Sequence, residues 1–290
     1  MRSKLWLVAG CSLFLGALAL LCGCSTVALF DAVVPKDEGS AVAASGIGYG
    51  TDAANKLDVY VPSSAPNPAP VIVFMYGGSW NSGSRASYSF AGRALAAQGF
   101  VTVIPDTRLV PQVRFPAFVG DAASALRYVH DHIAEFGGDP RRIFLVGHSS
   151  GAYNAVMLAL DPRFLRDAGL GPHAIKAVAA LSGPYDFLPL DVDASRQAFA
   201  GVADLAATQP ANLASPSAPP IFLATGSADT LVHPRNTFAL ARALRRAGAE
   251  VEEKTYPGLS HSGTVAALSR PFRKDAPVLA DMVGFLSKHR

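Results

Sequence analysis

The hydrophobic pattern changes period repeatedly along the chain. Val71-Ile72-Val73-Phe74-Met75, Val101-Thr102-Val103-Ile104, Ile143-Phe144-Leu145-Val146, Ile175 to Leu181 and Ile221-Phe222-Leu223-Ala224 are near-continuous apolar runs. Runs of this length are expected of strands buried on both faces. Leu57-Asp58-Val59-Tyr60-Val61 alternates apolar and polar and predicts an early edge strand ending at Pro62, and Val251 to Tyr256 predicts the last strand. Between the strands, helical spacing runs over Tyr88–Gln98 to a stop at Gly99 and over Phe118–Phe136 to a stop at Gly137-Gly138. It recurs from Gly151 to about Leu160, over Thr237–Ala247 and over Pro277–Lys288. Strands alternating with helices predict an α/β fold, a mostly parallel central sheet with helices on both faces. Residues 185–218 break the alternation; they are rich in Ala, Pro and Asp and predict a short cap over the carboxyl edge of the sheet. One domain, residues 47–290, accounts for the pattern.

The first stretch follows another logic. Met1-Arg2-Ser3-Lys4 is followed by an uncharged run from Leu5 to Leu21 and then by Cys22-Gly23-Cys24. A basic start, an apolar middle and a small residue at its end describe a secretory signal. The run is short for a membrane span, and Gly10, Ser12 and Gly16 weaken it further. Leu21-Cys22-Gly23-Cys24 resembles a bacterial lipobox. The resemblance implies that residues 1–23 are removed and that Cys24 becomes an acylated N-terminus, a lipid anchor in the membrane. A plain signal peptide or a single-span anchor is the alternative. Ser25 after the cysteine is similar to the outer-membrane sorting pattern, which implies a protein facing the periplasm if the source is Gram-negative. Residues 24–46 are small, polar and interrupted by Pro35 and Gly39, and read as a tether.

Composition removes several function classes. Half of the 290 residues are hydrophobic and mean hydropathy is positive, which argues against disorder. Three cysteines in such a length do not make a disulfide scaffold, and two of them, Cys11 and Cys22, lie in the leader. Lys+Arg 25 against Asp+Glu 22 leaves no large basic excess for nucleic acid. No metal-ligand spacing, phosphate loop or dinucleotide fingerprint appears, so the expected chemistry uses neither metal nor cofactor.

Gly147-His148-Ser149-Ser150-Gly151 lies between an apolar run and a helical pattern. A nucleophile on such a sharp turn needs small flanking residues, and the helix N-terminus offers N–H groups to a developing negative charge. A serine hydroxyl needs a base, and the base an orienting carboxylate. His261, in Gly258-Leu259-Ser260-His261-Ser262-Gly263, follows the last strand and is preferred over His233; His148, beside the serine, is expected to point elsewhere on the turn. Asp229, in Thr225-Gly226-Ser227-Ala228-Asp229, is the favoured acid, with Asp186 as the fallback. Tyr76-Gly77-Gly78-Ser79-Trp80 follows an early buried strand and suits an oxyanion loop, with a plain glycine turn as the alternative.

These motifs, in this order over residues 47–288, resemble the α/β-hydrolase superfamily, and within it the hormone-sensitive-lipase-like carboxylesterases and their arylformamidase relatives. Leu57-Asp58-Val59-Tyr60-Val61-Pro62 and Ser182-Gly183-Pro184-Tyr185-Asp186 are similar to segments of those families. The resemblance implies an α/β-hydrolase fold and a serine carboxylic ester hydrolase acting on a small-molecule ester. It implies Ser149 as nucleophile, His261 as base and Asp229 as acid, with the N–H groups of Gly78, Ser79 and Ser150 as the oxyanion hole. The chain departs from the family in Tyr76, where a histidine is usual, and in Ser79, where a third glycine is common. Arg108 and Asp121 are expected to form a structural pair. Trp80 is expected either to line the acyl pocket or to brace the oxyanion loop; Tyr185, and more weakly Tyr153, are further substrate-pocket candidates. Two other readings are an arylformamidase or other amide hydrolase, and a non-catalytic hydrolase-like binding lipoprotein.

Overall fold

The computed structural model describes residues 26–64 and 67–290; the leader and Cys24 lie outside the described residues. Helix α1 (Thr26–Val33) is followed by strands β1 (Ser40–Gly48), β2 (Lys56–Pro62) and β3 (Ala69–Met75), helix α2 (Ser89–Ala96), strand β4 (Val101–Pro105) and helix α3 (Ala117–His132). Then come β5 (Gly138–His148), α4 (Ser150–Leu160), α5 (Pro162–Asp167), β6 (Val178–Leu181), α6 (Asp193–Ala198) and β7 (Ile221–Gly226). The chain closes with α7 (Arg235–Ala247), β8 (Val251–Tyr256), α8 (His261–Ala266) and α9 (Val278–Ser287). The strands form one sheet in the order β1-β2-β4-β3-β5-β6-β7-β8. β2 runs antiparallel to its neighbours β1 and β4, and every pairing from β4 to β8 is parallel.

The central strands read as unbroken apolar runs because both of their faces are covered. Val71, Val73 and Met75 of β3 enter one core cluster, while Ile72 and Phe74 enter the other. The same two-residue period assigns Leu145 and Leu223 to the first cluster and Phe144 and Phe222 to the second. Helices α3, α4 and α7 cover the first face; α2, α8 and α9 cover the second. Ten of the eleven residues of α4 are buried, which explains why this helix lacks a polar stripe.

Two expectations need correction at the N-terminal side. Residues 40–46, assigned to a tether, belong to β1, which pairs with β2, so Leu57–Val61 is the second strand rather than the edge. Residues 26–33, also in that tether, form α1. The stretch is held by groups far away in sequence: Asp31 accepts from Phe90 N at 2.7 Å, and Asp37 pairs with Arg273 at 2.7 Å. Burial of Asp58, the polar position of β2, is met by Arg85 Nε at 2.8 Å, Ser45 Oγ at 2.7 Å and Gly46 N at 2.8 Å. The long helix expected to Phe136 ends as α-helix at His132 and tightens into a 3₁₀ turn over Ile133–Phe136. Residues 185–218 carry only α6 and two 3₁₀ turns, Ala206–Thr208 and Pro210–Leu213, as a short cap.

Candidate active site

Ser149 sits between β5 and α4 with φ 56° and ψ −125°, a conformation that costs a non-glycine residue about 1–3 kcal/mol. Its surroundings leave little alternative. A Cβ on Gly147 would come within 2.5 Å of the Gly151 carbonyl oxygen, and one on Gly151 within 2.1 Å of that of Met75. The strand–turn–helix therefore closes only with glycine at both positions. The turn is pinned by Ser149 N donating to Leu181 O at 2.9 Å and by Tyr153 N donating to Ser149 O at 3.1 Å.

Two further loops meet it. Ser149 Oγ lies 2.9 Å from His261 Nε2, and His261 Nδ1 lies 2.9 Å from Asp229 Oδ2. With Nδ1–H donating to the carboxylate, Nε2 is left to accept the serine proton. His261 opens α8, whose N-cap Ser260 accepts from Gly263 N. Asp229 is buried, and its other oxygen accepts from Leu231 N at 3.0 Å and Val232 N at 2.8 Å. Burial pushes the Asp229 carboxyl up, but the hydrogen bond and charge of His261, with the Val232 N–H and Ser182, outweigh it and hold the group below the usual carboxylate range. The Asp229 and His261 loops are locked together: Ala228 N donates to Leu259 O at 3.0 Å, and a Cβ on Gly226 would meet that same oxygen at 2.0 Å.

The loop after β3 forms the other wall. Gly78 has φ +149°, and its carbonyl accepts from Asn81 N and Ser82 N; a Cβ there would sit 2.1 Å from Ser82 O. Ser79 and Trp80 follow with φ 52° and 60°. Ser79 and Ser150 line the same cavity as Ser149, and the first N–H groups of α4 have no acceptor within the helix. Tyr76 donates its hydroxyl to Asp106 at 2.8 Å and stacks on Tyr88 with ring centroids 5.4 Å apart. Burial and the Asp106 charge raise the Tyr76 phenol, so it stays a proton donor. Tyr88 in turn donates to Gly77 O at 3.2 Å, and Asp106 is neutralised by Arg85. An anchored phenol thus stands behind the glycines.

The cavity in front of Ser149 has a volume of about 320 Å³. Trp80 lines the cavity, donates to Asn154 Oδ1 at 3.2 Å, and packs on Phe118 with centroids 5.7 Å apart. Phe187 and Val192 of the cap and Leu231 beyond β7 complete the apolar part. Arg108 and Asp121 form the expected pair, with Nη2 to Oδ1 at 2.6 Å. Among the described residues, no cluster of three or more His, Cys, Asp or Glu side chains is arranged to hold a metal.

Some expected site residues lie elsewhere. Tyr185 is fully buried and absent from the cavity wall. Its N–H and that of Asp186 both donate to Asn236 Oδ1 at 3.0 Å, which turns the ring inward against Gly183 and presents Pro184 and Phe187 instead. Tyr153 is likewise buried, its hydroxyl donating to Thr208 O at 2.9 Å. Asp186 is exposed, and His233 stands at the cavity rim rather than beside Ser149.

His148 does not point away from the site. Its Nε2–H donates to the carbonyl of His261 at 3.1 Å, and the two rings lie 4.9 Å apart. Nδ1 is buried without a partner and faces Gly77, where a Cβ would approach it to 2.9 Å. Burial, reinforced by His261, pushes the His148 imidazole down to about 3, so it is neutral at working pH. It touches the His261 loop on one side and the loop after β3 on the other. No spacing in the sequence marks this role; only the three-dimensional meeting of β5 with the His261 loop does.

Comparison with known proteins agrees with this architecture. The chain is 31% identical over 236 residues to isoprenylcysteine alpha-carbonyl methylesterase of Arabidopsis thaliana, covering 74% of this chain and 55% of that protein. It is 35% identical over 145 residues to esterase LipC of Mycobacterium tuberculosis, covering 48% of this chain and 36% of LipC. The chain spans about half the length of the curated relatives it matches. Its structure matches an inhibited esterase B from Lactobacillus rhamnosis with TM-score 0.79 at 20% identity, over 97% of both chains. A thermostable esterase from Pseudomonas putida matches with TM-score 0.71 at 24% identity, over 91% of this chain and 88% of that one. These likenesses establish the α/β-hydrolase fold. Residues 57–244 match the BD-FAE family, and the chain therefore belongs to that family.

Proposed function

We propose that the protein is a serine hydrolase of carboxylic esters working through an acyl-enzyme. The reading rests above all on the relay Ser149 Oγ–His261–Asp229, two contacts of 2.9 Å joining three separate loops at one rim. Ser149 Oγ attacks the acyl carbon while His261 Nε2 takes its proton; the carbonyl π pair moves onto oxygen. The N–H groups of Gly78, Ser79 and Ser150 receive that oxyanion. His261 returns the proton to the departing alkoxide as the C–O bond breaks. Water then repeats the sequence on the acyl-serine and releases the acid. Asp229 keeps the imidazole oriented and stabilises its charged form. The cavity lies at the small end of the roughly 300–1,000 Å³ usual for ligand sites, which favours a small ester.

The test is hydrolysis of a short-chain aryl ester. Ser149→Ala is expected to lower kcat by about 10⁴-fold or more with the fold intact; activity unchanged in that variant would refute the proposal. We further propose that the chain is held at the envelope membrane through acylated Cys24, a reading supported by the lipobox-like sequence before it. The mass of the N-terminal peptide tests this directly.

A further inference from the structure

Helix α1 is built inside out. Its sequence, TVALFDAV, holds a single charged residue, Asp31, and that residue is buried. Asp31 accepts from Phe90 N and from Ser89 Oγ, and so serves the N-terminus of α2. The opposite face carries Leu29 and Val33, one helical turn apart, and Val33 is 70% exposed. Phe30 packs inward on Phe90, its ring 5.1 Å away, and meets Phe272 at 5.8 Å. Phe272 is itself 40% exposed, which extends the apolar surface beyond the helix. Helix α7, on the other face of the sheet, shows the usual arrangement, with Leu240 and Leu244 inward and Arg242, Arg245 and Arg246 outward. An outward apolar face is normally covered by something other than water.

The sequence supplies the cover. Cys24 precedes Thr26 by two residues, which span at most about 7 Å. A chain fixed to a bilayer at Cys24 therefore holds the start of α1 at the lipid surface. We propose that the Leu29–Val33–Phe272 face lies in the bilayer interface as a second, non-covalent contact beside the lipid anchor. The proposal rests on the anchoring reading above. It makes α1 part of the membrane attachment and orients the domain, where a flexible tether would leave it free to rotate. Its apolar residues would sit at the boundary of headgroups and acyl chains, the depth reached by interfacial helices.

The experiment uses the full chain, matured and reconstituted in phosphatidylethanolamine–phosphatidylglycerol vesicles, with Val33→Cys carrying a bimane label. Arg242→Cys on α7 is the control on the opposite face. Mass spectrometry of the N-terminal peptide first reports whether Cys24 is acylated, and hydrolysis of an aryl ester reports the fold. With acylation present, lipids brominated near the interface are expected to quench the label at 33 severalfold more than at 242. Equal quenching at the two positions in an acylated chain overturns the interfacial contact and leaves the anchor standing. Protection of position 33 from aqueous iodide without lipid quenching overturns it too, and assigns the face to a protein surface, a second copy or another partner. An unacylated Cys24 with the chain in the aqueous phase overturns the anchoring reading and the contact together.

Discussion

In the body of the sheet, β3, β5, β6 and β7 carry side chains such as Ile72, Leu145, Val178 and Phe222, none of them measurably exposed, all in ordinary extended backbone. Just beyond the carboxyl ends of those strands the rule reverses. The four non-glycine residues with left-handed φ among the described residues are Ser79, Trp80, Ser149 and Ser182, and each follows β3, β5 or β6. There too lie a buried carboxylate at Asp229 and a buried imidazole nitrogen with no partner at His148. The left-handed residues and the unpartnered nitrogen each cost free energy, on the order of 1–3 kcal/mol. They persist because the apolar layers beneath over-determine the backbone. Body and rim thus divide the work: stability comes from one, chemistry from the other, and a change in either should move mainly one kind of measurement.

The largest separation is expected at Asp229→Asn. The loop geometry survives, but the amide no longer selects the Nδ1–H tautomer of His261, and kcat should fall about 10⁴-fold with little change in unfolding free energy. Comparable losses in both quantities would show that rim and body are not separable. In the body, Phe222→Ala removes a fully buried ring and should cost about 3–5 kcal/mol in denaturant unfolding, while kcat per folded molecule stays within a few-fold of wild type.

His148 lies on the border between the two and sharpens the comparison. Removing its donor in His148→Ala frees the His261 carbonyl and should lower kcat by roughly 10–100-fold at little cost in KM, by analogy with other supporting residues around active groups. His148→Gln, which restores an N–H at a similar reach, should recover most of that loss; equal impairment of both variants would assign His148 to packing alone. The same residue also makes a prediction about pH dependence. His148 is held at about 3 in the folded chain, against about 6.5 when unfolded. As pH falls from 6.5 towards 3 the unfolded state takes up the proton and the folded state does not, so acid destabilises the fold. The slope from this one group is about 1.4 kcal/mol per pH unit in that window, and His148→Gln should remove it from plots of unfolding free energy against pH.

Much of this division could be read from residue order. The unbroken apolar runs located the central strands, because burial on both faces leaves no polar positions. The Gly147–Gly151 elbow and Asp229 were legible because each follows such a run, and His261 because it lies in a small-residue loop after the last strand. Tyr185 was misread since its direction is set by Asn236, 51 residues further on and unconnected to it by any local pattern. Residues 26–46 were misread because what holds them is distant in sequence: Asp31 at the start of α2, Asp37 on Arg273, and the β1–β2 ladder. The network of Arg85 with Asp58 and Asp106 behind Tyr76 escaped notice for the same reason, since its members come from separate elements.

The most direct measurement is mass spectrometry of the folded protein after reaction with a fluorophosphonate, which phosphonylates a serine only where a base and an oxyanion site already activate it. A single adduct on the peptide containing Ser149, lost in His261→Ala, is the predicted result. Absence of an adduct in folded protein, or an adduct on another serine with Ser149 untouched, would contradict the account.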